Sequence, residues 1–211
     1  MRVLGIFVGK PRELVWRSQV IQTSIFKEPI KGSSVRVFKT HIDGDMASDL
    51  KVHGGEYRVV YTYSSLHYEY WWRELGKTPQ DFPYGSVGEN LVVENMNEND
   101  IDIGDHIRIG DVVLEAQDPR GPCFKLGIRL GDESMVKRFL DSGRLGIYYR
   151  VVQEGEMKLG DSVEVVKRSH TGVRSVQLLA LRKNPDKEKL KKVLDLPTLS
   201  PQTRKKLESL L

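Results

Sequence analysis

The segment His106-Ile107-Arg108-Ile109-Gly110-Asp111-Val112-Val113-Leu114-Glu115-Ala116 places two extended, largely apolar runs on either side of Gly110-Asp111. A two-residue loop that begins with glycine accepts the positive φ a tight hairpin needs, so the segment predicts a β-hairpin. The same pattern continues outward from it, with strands expected at Arg2–Val8, Ser34–Phe38, Arg58–Thr62, Asn90–Val93, Ile147–Gln153 and Ser162–Lys167. Gly-Asp followed by alternating apolar residues recurs at Gly104-Asp105 and Gly160-Asp161, as turns feeding barrel strands would. The fold class is therefore β-rich, mainly β with inserted helices, and a barrel or sandwich is favoured.

Two helices interrupt the strands. Ser64 caps a segment that runs through Leu66–Leu75 and stops at Gly76, with Glu69 and Arg73 paired at i,i+4. The second spans about Glu133 to Leu140, with Asp132 as its cap and Gly143 beyond its end. From Thr171 onward the pattern is helical, and Asn184-Pro185 and Ser200-Pro201 each set a capping residue before a proline, which punctuates three short helices. Two units follow, a β-rich body over residues 1–168 and a three-helix tail over 171–211. So small a tail buries little surface alone and is expected to dock on the body or on a partner.

With 211 residues, 39% hydrophobic and 29% charged, the chain has the composition of an ordinary folded protein. One cysteine excludes an internal disulfide, and no segment matches a signal peptide or a membrane span, so a reducing, cytoplasmic setting is expected and no membrane partner. The net charge of +4 conceals an asymmetry, because residues 167–211 carry 12 Lys and Arg against 4 Asp and Glu. No aromatic side chain interleaves these charges as a stacking platform, so no nucleic-acid partner is expected.

Three patches carry chemistry. Cys123 stands in Pro119-Arg120-Gly121-Pro122-Cys123-Phe124-Lys125-Leu126, just after a strand. A lone cysteine is most often a small buried hydrophobe. Here two prolines and a glycine make an irregular loop, while Arg120 and Lys125 bring cations that favour a thiolate, the ligand a soft metal prefers. The second patch sets Lys51, His53 and Arg58 around Gly54-Gly55, where a glycine pair lets backbone amides approach an anion. The third is Gly85-Ser86-Val87-Gly88-Glu89-Asn90-Leu91, a glycine-flanked entry to a strand. The histidines and Cys123 show no zinc spacing, whereas a Cys–His nucleophile pair assembled by the fold stays open.

Together with Gly44-Asp45, Tyr63, His67-Tyr68 and Trp71, these patches make the chain resemble the MOSC domain family, named for the C-terminal domain of molybdenum cofactor sulfurases, in its YiiM-like form. The resemblance implies a MOSC-type β-barrel followed by a three-helix domain. It also implies a molybdenum cofactor (Mo-molybdopterin) with Cys123 as the protein ligand to molybdenum. Lys51, His53, Gly54, Gly55, Arg58, Asn90, Arg120, Cys123 and Lys125 would bind that cofactor, and Cys123, His53 and Asn90 would be catalytic. The activity implied is reduction of small N-hydroxylated compounds such as hydroxylamino purines, with electrons from a separate reductase. A sulfur carrier with a persulfide on Cys123 and a non-catalytic binding module are the alternatives, and a homodimer is left open. Because all the cofactor loops precede the tail, truncation near Ser169 is expected to spare cofactor binding. The proton donor is left open: His53 could donate, since an ordinary histidine titrates at ~6.5, or Gly54-Gly55 beside it could instead place its ring on a phosphate. Glu89 would need a raised pKa for that part, and Asn90 could only orient a substrate.

Overall fold

A computed structural model of the protein describes residues 1–48 and 55–211. The strands are β1 (Val3–Val8), β2 (Arg12–Trp16), β3 (Gln19–Thr23), β4 (Glu28–Pro29), β5 (Ser34–Val37) and β6 (Val60–Ser64). They continue with β7 (Leu91–Val93), β8 (His106–Ile109), β9 (Val112–Pro119), β10 (Ile147–Gln153), β11 (Gly155–Lys158) and β12 (Val163–Lys167). The helices are α1 (Ser65–Leu75), α2 (Phe124–Leu130), α3 (Met135–Ser142), α4 (Ser175–Lys183), α5 (Lys187–Leu194) and α6 (Pro201–Glu208).

The predicted hairpin is β8–β9, paired from Ile109 opposite Val112 to His106 opposite Glu115, with Gly110 at φ 56°. It belongs to an eight-stranded mixed sheet in the order β12-β8-β9-β10-β6-β7-β1-β4, in which β6 and β7 run parallel and the other neighbouring strands antiparallel. The sheet curls until the start of its edge strand β12 touches the start of β1, the strand next to the other edge. Arg2 bridges Ser162, the Val3 amide donates to the Asp161 carbonyl at 3.0 Å and the Val163 amide to the Met1 carbonyl at 2.8 Å. That contact is one bridge rather than a ladder, so the β-rich body is an open, barrel-like sheet and not a closed barrel.

Strand β6 is buried along its whole length, as a strand covered on both faces must be. One side faces an aliphatic core that includes Val60, Ile107, Leu114 and Ile147. The other carries Tyr61 and Tyr63 into an aromatic core with Tyr68 and Trp71 of α1 and Phe139 of α3. Helix α1 begins and ends where expected: Ser64 Oγ accepts from the Leu66 amide at 3.2 Å, and Gly76 closes the helix in the left-handed region. For α3 the start shifts. Asp132 Oδ1 takes the Ser134 amide at 2.9 Å in a local turn, so the helix begins at Met135 instead of Glu133.

Three tail helices form, with one correction to their punctuation. Ser200 caps α6 with Pro201 in the first turn, as expected. Asn184 instead ends α4, and Asp186 caps α5 by accepting from the Lys189 amide at 3.1 Å. A carboxylate with the side chain length of Asp serves that amide once Pro185 has broken the chain direction. The tail docks on the body: Ile103 lies in the tail's own core with Leu178, Leu190 and Leu207, and buried Asp105 accepts from Ser169 N at 2.7 Å and from Arg168 Nη1 at 2.8 Å. No described helix is long and apolar enough to cross a membrane.

Candidate functional site

Where β9 ends the chain turns through Arg120-Gly121-Pro122, and Cys123 occupies the N-cap position of α2 with extended backbone at φ −122°. Two prolines keep the loop irregular, and no capping hydrogen bond ties down the cysteine side chain. The thiol is half-buried. It lines a cleft of about 400 Å³ whose wall also holds Lys27, Asp45, Gly55, Arg58, Asn90 and Arg120, with Lys125 and Tyr148 at its side. A cleft of that size is typical of small-molecule sites.

Six of the nine expected site residues are thus brought to one place: Gly55, Arg58, Asn90, Arg120, Cys123 and Lys125. The other three, Lys51, His53 and Gly54, lie outside the described residues. Arg120 is only 6% exposed, yet its Nη1 is buried with no hydrogen-bond partner among the described residues. The guanidinium lies over the Tyr61 ring at 5.2 Å and the Phe139 ring at 5.7 Å, so the aromatic core supports the charge. Arg58 reaches the other way, with Nη2 donating to Asp118 Oδ2 at 3.0 Å.

Asn90, expected to bind cofactor and orient a substrate, lines the cleft and also braces its wall. Its Oδ1 accepts from the Tyr61 amide at 3.1 Å, and its Nδ2 donates to the Phe7 carbonyl at 3.2 Å and to Asp45 Oδ2 at 2.9 Å. The physical reason is burial, since a side chain amide 3% exposed beside a bulged strand must meet backbone groups first. Glu89 does not line the cleft. Its Oε1 accepts from Tyr68 Oη and from the Gly85 amide, and burial pushes its carboxyl above the usual range.

Two side chains that the sequence reading gave no part are central. Lys27 pairs with Asp45, and burial draws its ammonium below the usual lysine range despite the carboxylate. Asp45 in turn accepts from the Gly9 amide at 2.7 Å, so the pair is held by β1 and the Asn90 brace. Lys27 ends the short connector between β3 and β4, in Ile25-Phe26-Lys27-Glu28, with no motif to reveal it. Asp45 was visible only in the Gly44-Asp45 match. Among the described residues no three His, Cys, Asp or Glu side chains gather as a metal cage. The arrangement therefore offers one thiol for a soft metal and several cations for an anion.

The MOSC domain profile matches residues 49–164, which span Gly55, Arg58, Asn90, Arg120 and Cys123. The uncharacterized protein YflK of Bacillus subtilis is 35% identical over 175 residues, covering 83% of this chain and 77% of that one. A protein named Reductase from Gibberella moniliformis is 36% identical over 148 residues, 69% of this chain but 26% of the longer protein. The crystal structure of YiiM from Geobacillus stearothermophilus superposes with a TM-score of 0.83 at 25% identity, over 100% of this chain and 98% of that one. Profile, relatives and architecture agree: the chain belongs to the MOSC domain family and is YiiM-like.

Proposed function

We propose that the cleft binds the molybdenum cofactor through Cys123 and that the protein reduces N-hydroxylated compounds to the amines. The observation that carries this reading is the pairing, in one cleft, of a half-exposed thiol with a buried guanidinium whose Nη1 has no partner among the described residues. A buried donor left unmade costs ~1–3 kcal/mol, a cost that an anionic group entering the cleft would remove. The residues fit such a group. A Cβ added at Gly55 or Gly121 would meet nothing within 4 Å, so the backbone leaves the cleft open beside both. Cys123 supplies the soft ligand, and Arg58, Arg120 and Lys125 supply charge for a pterin phosphate. Once bound, the cofactor supplies the two-electron couple that an N–OH to N–H reduction with release of water needs.

The chain's own residues then have distinct parts. Arg120 and Arg58 fix the anionic end, and the Tyr148 and Tyr61 rings, 5.0 Å apart, form an aromatic side to the cleft. Lys27 is a proton donor for the cleft, since it lines the wall and burial makes its ammonium readier to release a proton than a surface lysine's. His53, which lies outside the described residues, remains a donor expected from sequence. Electrons come from a separate reductase, since the chain carries no redox cofactor motif of its own. A free thiol as ligand suits a reducing, cytoplasmic setting.

The test uses protein made in a host competent for cofactor synthesis. Molybdenum and pterin content near one per chain is expected for the wild type, with neither metal retention nor turnover in Cys123→Ser, because a hydroxyl is a poor substitute for a soft thiolate. Reductant and 6-hydroxylaminopurine should yield adenine, followed by chromatography. Full metal content in Cys123→Ser would sink the assignment. Adenine no higher than in that variant would favour the sulfur carrier, with a persulfide on Cys123 as its signature.

A further inference from the structure

We infer that Asp118 is a positioning residue for Arg58 and that helix α6 sets Asp118, so the C-terminal tail takes part in ligand binding by the cleft. This rests on the reading that Arg58 meets an anionic group. Asp118 is the last but one residue of β9, and its side chain is 2% exposed against 13% for Arg58. Its Oδ2 accepts from Arg58 Nη2 at 3.0 Å and from Ser200 Oγ at 3.2 Å, and its Oδ1 accepts from Thr203 Oγ1 at 2.6 Å. The carboxylate is thus held from both sides, by the cleft and by the tail.

Geometry gives the tail hydroxyls control over the arginine. Ser200 is the N-cap of α6, and the Oγ that donates to Asp118 also accepts from the Thr203 amide at 3.2 Å. Thr203 Oγ1 in turn accepts from Arg182 Nη2 of α4 at 3.2 Å. The positive end of α6 therefore faces the carboxylate, an arrangement a helix N-terminus favours. Two hydroxyl donors fix the rotation of the carboxylate, and its orientation selects where the planar, fork-shaped guanidinium can lie. An arginine on a free rotor would have to lose that freedom each time a ligand bound, whereas one already fixed does not. Against the separability expected from sequence, residues 82 and 85 positions beyond Asp118 hold the carboxylate that Arg58 meets.

The experiment compares full-length Thr203→Val, which keeps the shape and removes the hydroxyl, with Thr203→Ser, which restores it, and with Arg58→Ala. Two quantities are read: pterin retained per chain after purification from a cofactor-competent host, and affinity for inorganic phosphate by calorimetry. Thermal melting is recorded beside them. We expect Thr203→Val and Arg58→Ala each to bind about tenfold more weakly, the fold-change that loss of one charge-assisted contact brings, and Thr203→Ser to bind like the wild type. A purely structural role would lower the melting temperature of Thr203→Val and leave its phosphate affinity alone, which would overturn the inference. Wild-type binding by Thr203→Val beside weak binding by Arg58→Ala would also overturn it, while leaving the anion-binding cleft intact. Wild-type binding by Arg58→Ala would overturn both, since Asp118 would have nothing to position. The isosteric Asp118→Asn carries the expectation of Thr203→Val if that variant does not fold.

Discussion

Strand β9 carries buried Glu115 at its middle and leads into buried Arg120 just past its end, and the two charges are treated differently. Glu115 is 3% exposed and fully engaged: its oxygens accept from Arg150 Nε at 2.7 Å, Arg150 Nη2 at 2.9 Å and Gln117 Nε2 at 2.7 Å, with His106 Nε2 at 3.1 Å. Arg120 is 6% exposed and lies on aromatic rings with Nη1 unpartnered among the described residues. Burying a charge is costly unless it is paired, so Glu115 belongs to the architecture, joining β8, β9 and β10. A charge left incomplete at the wall of a cleft is poised for something that enters it. The difference teaches that burial alone does not mark a functional charge, whereas burial without satisfaction beside a cavity does.

The comparison can be broken most sharply at Glu115. Glu115→Ala should cost about 2–3 kcal/mol of stability, below the ~3–5 kcal/mol of a fully buried pair because the Arg150 side chain stays 37% exposed. Urea denaturation measures this, and a loss under half a kcal/mol would remove the distinction. Arg120→Met keeps the apolar packing and removes the orphaned donor, so without ligand its stability should change by less than ~1 kcal/mol in either direction. Its pterin content should nevertheless fall at least as far as that of Arg58→Ala. Were Arg120→Met to unfold like Glu115→Ala and keep its pterin, the two charges would have exchanged roles.

The smallest effect is a pH dependence at Glu89. In the unfolded chain the carboxyl titrates near 4.5, and burial holds it above that in the fold. The unfolded chain therefore releases this proton first, and the stability contributed by the protonated carboxyl is lost as pH rises from 4.5 through the folded value. Glu89→Gln cannot titrate, so its stability should fall less than that of the wild type as pH is raised through this window. Parallel curves for the two proteins would show that Glu89 has no raised pKa.

Hairpins and capped helices could be read because their signals are local. Gly110-Asp111, Ser64 with Gly76 and Ser200-Pro201 each act within a few residues, and each appears where expected. Strands β2 and β3 escaped because their loop, Arg17-Ser18, adopts positive φ at 48° and 63° without a glycine to announce it. Helix α2 escaped because seven residues after two prolines show too few turns for a helical period.

The sequence by itself determined the β-rich class, the caps, the three-helix tail and the candidacy of Cys123, Arg58 and Arg120, because residue type and short spacing carry that information. Only the tertiary structure decided that Lys27 joins the cleft through Asp45, that Asn90 is a brace, that the sheet stays open and that the tail reaches Arg58 through Asp118. These facts depend on groups 18 to 85 residues apart meeting in a buried place, where hydrogen-bond satisfaction and desolvation choose the partners.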